Sequence, residues 1–247
     1  MNIRQYLDST YLKTAAQAGL DEEQNSVVVK KFIQEAIDEN FKLIMIRPNM
    51  VSIAKEMMTT ANSKVGIGTV IDFPDGNSNV EDKLVEANQA IQDGADDLDF
   101  VCNYNAFISG DIDLVKEEVL KCTKLGLENG KVVKWIIEVA ALDDKQIVQL
   151  TALIKNVVVS NFKEIFYNSV FVKSSTGFFI TQGNLPNGAT ILTITMMLEN
   201  AFPLPVKAAG GVRTYEEAVA MIQLGVKRIG TSGAKIIANG AGTQLEY

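Results

Sequence analysis

Residues 80–101, Val80 to Val101 (VEDKLVEANQAIQDGADDLDFV), decide how this chain is built. Val80, Leu84, Ala87 and Ile91 recur at the spacing of one helix face. Asp93-Gly94-Ala95 then breaks the pattern, because glycine at the position after a helix accepts the left-handed conformation that ends it. Asp97–Val101 follows as a short run bounded by polar residues, which reads as a strand. Helix, glycine, strand is one module, and Leu224-Gly225-Val226 before Arg228–Thr231 repeats it.

Working outward, strand-like runs occur at Gln5–Asp8, Lys42–Ile46, Val65–Asp72, Asp97–Val101, Val132–Glu138, Ser169–Ser174, Val206–Ala209 and Arg228–Thr231. Helical patterns lie between them, with Val29, Phe32, Ile33 and Ala36 on one face, then Ile112, Val115, Val119 and Cys122, then Ala218, Met221 and Ile222. Strands alternating with helices imply a parallel sheet with right-handed crossovers. Eight such units in 247 residues predict an α/β protein with a single closed (β/α)8 TIM barrel, one domain over residues 1–247 with a flexible tail at about 239–247. An open dinucleotide-binding sheet would need a Gly-x-Gly-x-x-Gly turn. Gly66-Ile67-Gly68 lies inside a strand and has no third glycine in register.

The chain is 47% hydrophobic and 21% charged with a net charge of −7, which argues against a nucleic-acid or anionic-membrane binder. Cys102 and Cys122 make neither a disulfide framework nor a metal pattern and read as buried small hydrophobes. No run approaches the length of a membrane span and no signal peptide is evident, so a cytoplasmic protein is expected. There is no histidine, which excludes Ser-His-Asp and Cys-His chemistry. Lysine Schiff-base chemistry needs none, and no metal or organic cofactor is expected.

Val170-Phe171-Val172-Lys173-Ser174-Ser175-Thr176-Gly177 places a lysine within an apolar strand. An ammonium there is costly unless it is paired or loses its proton, and a desolvated lysine beside a second cation attacks carbonyls. Lys207 stands in similar company. The ionisable residues in or ending strands are Asp8, Asp72, Asp99, Lys134, Glu138, Lys173 and Lys207. Alternation puts Lys134, Ile136 and Glu138 on one face of the fifth strand. Asp99, Lys134, Lys173 and Lys207 come from neighbouring strands, where they form either a catalytic centre or an ion-pair network that fixes the barrel. Asp72 reads equally well as a cap of the turn Phe73-Pro74-Asp75-Gly76. Gly210-Gly211 and Gly230-Thr231-Ser232-Gly233 follow the last two strands, where this architecture often holds phosphate.

These segments resemble the 2-deoxyribose-5-phosphate aldolases, class I aldolases of deoxynucleoside catabolism. The resemblance runs from Leu7-Asp8-Ser9-Thr10 to Gly230-Thr231-Ser232. It is carried most specifically by Phe171–Gly177 and by Lys207-Ala208-Ala209-Gly210-Gly211-Val212-Arg213. It implies that Lys173 forms the Schiff base, that Lys207 lowers its pKa, and that Asp99 moves protons with a water and Lys134. It further implies that Gly177, Gly210, Gly211 and Ser232 hold phosphate with Arg213 nearby. Thr176 and Gly233 belong to that loop set, and Asp8, Thr10 and Glu138 support the centre. Some members end in a tyrosine that enters the site, as Tyr247 would here. The implied partners are a sugar phosphate and aldehydes, and a homodimer is open. The alternatives are another barrel aldolase or transaldolase, and a silent sugar-phosphate sensor.

The chain also departs from that pattern. Ser9 stands where the family has histidine, Gly233 where many members have a second serine, and Met45 replaces a common cysteine. The stretch Phe178–Pro186 is longer and more apolar than usual, and its place after the Schiff-base strand predicts that it covers the mouth of the site.

Overall fold

The computed structural model describes residues 1–183 and 185–240. Eight parallel strands pair in chain order and close on themselves: β1 (Leu7–Tyr11), β2 (Leu43–Ile46), β3 (Gly66–Ile71), β4 (Asp97–Val101), β5 (Val132–Ile136), β6 (Val170–Lys173), β7 (Val206–Ala209) and β8 (Arg228–Thr231). Helices between the strands complete a (β/α)8 barrel, as the alternation predicts. The helix Val80–Asp93 begins at Asn79, whose side chain accepts from the Asp82 amide, and ends at Gly94 with φ 105. Gly225 ends Tyr215–Leu224 in the same way with φ 119.

Five strands depart from their predicted bounds, β2 and β6 by single end residues and three others for physical reasons. At the first, a 3-10 turn takes Ile3–Tyr6 and the strand runs on through Tyr11, with Asp8 and Ser9 fully buried. A buried carboxylate does not read as strand, and its cationic partner, Arg228, lies 220 residues away. β3 stops at Ile71 because Asp72 turns left-handed with φ 54, its carboxylate accepting from the Ser78 amide and hydroxyl. That is the turn-capping alternative. β5 stops at Ile136, and Glu138 sits outside it with φ 52, so strand alternation does not set its direction.

The main core lies between strands and helices, with Phe100 stacked on Trp135 at 5.2 Å between ring centroids. The barrel interior is divided. On the β1–β3 side Leu12, Leu43, Met45 and Val70 form a small apolar cluster. Gly68 leaves room for this cluster, since a Cβ there would lie 2.5 Å from Met45 Cε and make that side chain shift. The opposite half of the interior is ionic.

Candidate active site

Strand register assembles the ionic half. Asp99 pairs with Lys134 across β4–β5, Ile136 with Lys173 across β5–β6, Lys173 with Lys207 across β6–β7, and Lys207 with Arg228 across β7–β8. In a parallel sheet such partners face the same way, so all these charges point into the barrel. Asp99 is the hub. Its Oδ2 accepts from Lys173 Nζ and Lys207 Nζ, both at 2.9 Å, and its Oδ1 accepts from Lys134 Nζ at 2.7 Å. Lys134 also donates to Asp97 Oδ2 at 2.7 Å. Beneath them Arg228 binds Asp8 through Nε at 2.7 Å and Asp97 through Nη2 at 3.1 Å. Lys207 Nζ lies 2.7 Å from Asp8 Oδ2, a charge contact without hydrogen-bond alignment.

The cluster holds the carboxylates Asp8, Asp97 and Asp99 against the cations Lys134, Lys173, Lys207 and Arg228. One positive charge is in excess, and Lys173 is the group able to release it. Burial alone pushes its pKa down. Asp99 opposes that, Lys207 and Lys134 reinforce it, and the balance is about 8. The expectation that Lys207 sets this value is therefore refined: desolvation is the larger cause. Burial pushes the Asp99 carboxyl up, but Lys134, Lys173 and Lys207 together hold it well below the usual carboxylate range. Lys134 is driven down by burial and more than restored by Asp97 and Asp99. Arg228 is likewise held protonated by Asp8 and Asp97.

Above the cluster opens a cavity of about 380 Å³, within the range of small-molecule sites. Of the buried ionic cluster it touches only Lys173 among the described residues, and Lys13 and Arg213 add charge at its rim. The strand β1 contributes Thr10, and the loop after β6 contributes Thr176, Gly177 and Phe178. The loops after β7 and β8 contribute Gly210, Gly211, Arg213 and Ser232. Gly210 and Gly211 both take positive φ, at 78 and 91. Gly233 does not line the cavity, and its amide donates to Thr231 Oγ1 at 3.1 Å. Asp99, Lys207, Lys134 and Asp8 lie below, so Lys134 reaches the cavity only through Asp99. Glu138 lies behind the β6 loop. Tyr247 falls outside the described residues, as does the expected tail beyond Gly240.

Phe178 lines the cavity and meets Phe73 edge-on at 5.1 Å, and Arg47 stacks on Phe73 at 4.8 Å. Of the stretch expected to cover the mouth, Phe178 alone among the described residues lines the cavity, and Ile180 and Leu185 are exposed to solvent. Sequence reasoning missed Asp97 and Arg228. Asp97 had a readable signal, since it stands two residues before Asp99 on the same face. Arg228 opens its strand, where a charge reads as a solvated end.

Residues 12–240 match the family described as DeoC/LacD family aldolase. The chain belongs to that family. It is 37% identical over 242 residues to a deoxyribose-phosphate aldolase of Thermococcus gammatolerans, covering 98% of this chain and 97% of the relative. A deoxyribose-phosphate aldolase of Streptococcus suis is 33% identical, with both chains covered in full. Among solved structures, an aldolase named QR15 superposes with TM-score 0.79 at 29% identity, covering 97% of this aldolase and 95% of that chain. A deoxyribose phosphate aldolase from Aeropyrum pernix, described as a unique tetramer, superposes with TM-score 0.75 at 29% identity over 96% of this chain and 89% of its own.

Proposed function

We propose that this aldolase reversibly cleaves 2-deoxy-D-ribose 5-phosphate to acetaldehyde and D-glyceraldehyde 3-phosphate, with Lys173 as the Schiff-base residue. The reading is carried by one buried amine that lines the cavity and whose pKa is depressed to about 8. Neutral Lys173 attacks the C1 aldehyde of the open-chain sugar, and loss of water leaves an iminium. Removal of the C3 hydroxyl proton breaks the C2–C3 bond, and its electrons form an enamine on C1 and C2. The departing fragment is glyceraldehyde 3-phosphate. Protonation of C2 and hydrolysis by water release acetaldehyde and regenerate the amine.

Asp99 is assigned the proton transfers, relayed through water. Its low pKa makes it a weak base alone, but its Oδ2 is shared by Lys173 and Lys207. The Lys207 ammonium can pass a proton along that oxygen while the carboxylate keeps its charge. Lys134 fixes Asp99 from behind. Gly177, Gly210, Gly211 and Ser232, with Arg213 and the neighbouring Thr176 and Gly233, are assigned to the phosphate, while Asp8 and Thr10 are assigned to support of the catalytic centre. Loops with glycine backbones let amides approach phosphate oxygens closely.

No helix among the described residues is long and apolar enough to cross a membrane. Cys102 and Cys122 are buried and unbridged, which supports a cytoplasmic setting. A homodimer is the proposed assembly, and light scattering tests it against the tetramer described for the Aeropyrum protein.

Borohydride trapping with acetaldehyde tests the chemistry. The expected result is a reduced ethyl adduct on the peptide containing Lys173, absent from Lys173→Ala. No adduct on wild type overturns the aldolase reading. Preference for a ketone donor over acetaldehyde would transfer the reaction to another substrate class.

A further inference from the structure

Glu138 carries a hydrogen-bond pattern that an ionised carboxylate cannot complete. It is 1% exposed, and among the described residues its oxygens meet Ser175 and Thr176. Glu138 Oε2 accepts from the Thr176 amide at 3.1 Å and from the Thr176 hydroxyl. Thr176 Oγ1 in turn accepts from the Phe178 amide at 3.0 Å, so its single proton is used on Glu138.

Ser175 decides the matter. Its Oγ stands 2.6 Å from Glu138 Oε1 and 2.7 Å from the Asn187 carbonyl, and it accepts from the Gly177 amide at 3.0 Å. A serine hydroxyl has one proton and two lone pairs. The Asn187 carbonyl can only accept. If Glu138 were ionised, two acceptors would compete for one proton, and one oxygen pair, buried at Glu138 or half-buried at Asn187, would face each other with no hydrogen between them. A proton on Glu138 Oε1 resolves this. Glu138 donates to Ser175, Ser175 donates to Asn187, and the Gly177 amide fills the remaining lone pair.

We propose that Glu138 is a neutral carboxylic acid in the working enzyme, donating Oε1–H to Ser175 and so positioning the Ser175–Phe178 segment beside Lys173. This makes it a positioning residue that touches no substrate. The proposal rests on the aldolase reading only for its effect on turnover. The clamp joins two loops of the site, because Asn187 leads into Gly188 and Ala189. The Ala189 amide donates to the Gly210 carbonyl at 2.7 Å, and a Cβ on Gly188 would lie 2.5 Å from that oxygen. Hence one proton ties the loop carrying Gly177 to the glycine pair after β7.

Two further observations agree. Glu138 holds a left-handed backbone at φ 52, uncommon for a residue with a Cβ and typical of sites where geometry is over-determined. Burial pushes its carboxyl up, against the opposing pull of Ser175, Thr176 and Lys173. The titratable groups facing it are Lys173 from β6 and Tyr104 from the helix Tyr104–Ser109, itself near Asp75. Lys173 is the facing cation, and it favours the ionised acid. When Lys173 loses its proton to become nucleophilic, that pull ends, so a neutral amine and a neutral acid support each other.

The test is infrared difference spectroscopy of the full chain labelled with carboxyl-¹³C glutamate, wild type minus Glu138→Gln, at neutral pH. The expected result is the carbonyl band of a protonated acid, replaced by carboxylate bands on raising the pH. A difference spectrum showing only carboxylate at neutral pH overturns the proposal. Kinetics provide the second readout. Glutamine keeps a donor for Ser175 and an acceptor for Thr176, so kcat should stay within about tenfold of wild type, with the alkaline decline caused by Glu138 removed. Glu138→Leu, which can neither donate nor accept, should lose more than about tenfold. A folded glutamine variant as impaired as leucine would also overturn it. Borohydride trapping in the same samples separates the readings: absence of adduct condemns the aldolase chemistry, whereas the infrared band judges Glu138 alone.

Discussion

Lys173 Nζ stands 2.9 Å from Asp99 Oδ2, a contact that favours the ammonium and works against the amine that aldehyde attack requires. Burial of the lysine and the cations Lys207 and Lys134 outweigh it, and the amine titrates at about 8. Asp99 therefore keeps the proton close, at hydrogen-bond distance, without locking it on the nucleophile. Lys134 and Lys207, which help hold Asp99 ionised, leave Lys173 as the group of the cluster free to discharge.

The pH profile follows. Below about 8, kcat/KM should fall about tenfold per pH unit as Lys173 is protonated, and above that value it should level off until Glu138 ionises on the alkaline side. Lys207→Met removes a like charge and frees Asp99 to attract Lys173 more strongly. The limb should move to higher pH by about one unit. Burial is the larger cause of the depressed value, so the limb should remain below that of a solvated lysine. Initial rates across pH for both proteins check this.

Stability should run in the same direction. The unfolded chain binds the Lys173 proton more tightly than the folded one, so ν_U exceeds ν_N between about 8 and the ordinary lysine pKa. Folding gains stability as pH rises through that window, and this contribution is lost as pH falls through about 8. Lys173→Met deletes the surplus cation while Lys134 and Lys207 still satisfy Asp99. It should raise Tm at neutral pH while lowering turnover by at least about 1000-fold. Asp99→Ala should do the reverse to stability, leaving three buried lysines without their shared anion, a loss of about 3–5 kcal/mol. Thermal melts of the two variants against wild type separate these outcomes.

Much of this was legible in the sequence, and what escaped has physical causes. Repeating helix–glycine–strand modules gave the barrel, because Gly94 and Gly225 each end a helix in a conformation other residues resist. Lys173, Lys207 and Asp99 stood out as charges inside apolar strands. Residues whose partners are far away in the chain escaped: Arg228 reads as a solvated strand end until Asp8 is brought to it. Lys83 sits on the buried face of an ordinary amphipathic helix, yet it is fully buried. It donates to Glu118 at 2.6 Å and to the Val101 carbonyl at 2.8 Å. Periodicity cannot show such a pair. Glu138 was placed by strand alternation, which fails where the backbone turns left-handed.

Phosphate recognition should depend on Ser232. It lines the cavity beside the loop of Gly210 and Gly211, while Gly233 supplies no hydroxyl and directs its amide to Thr231. Ser232→Ala should raise KM for the phosphorylated sugar by roughly fivefold, of the order of one hydrogen bond or ~1 kcal/mol, and leave free deoxyribose nearly unaffected. A ratio of kcat/KM values for the two sugars unchanged in Ser232→Ala would remove Ser232 from the phosphate site.

Resistance to aldehydes follows from where the thiols are. Met45 fills the barrel interior against Leu43 and Gly68, so no thiol stands on that strand. Cys102 is fully buried, and burial together with Glu118 pushes its thiol well above the ordinary value. Burial likewise raises Cys122, to about 12. The thiolate is the nucleophile, so both cysteines are protonated and inert toward unsaturated aldehydes formed from acetaldehyde. Wild type should therefore keep most of its activity through long incubation in concentrated acetaldehyde. Met45→Cys places a thiol in the interior beneath the mouth, and it should be inactivated faster with a covalent mass gain at position 45. Rapid inactivation of wild type with a modified Cys102 or Cys122 would show that burial does not protect these thiols.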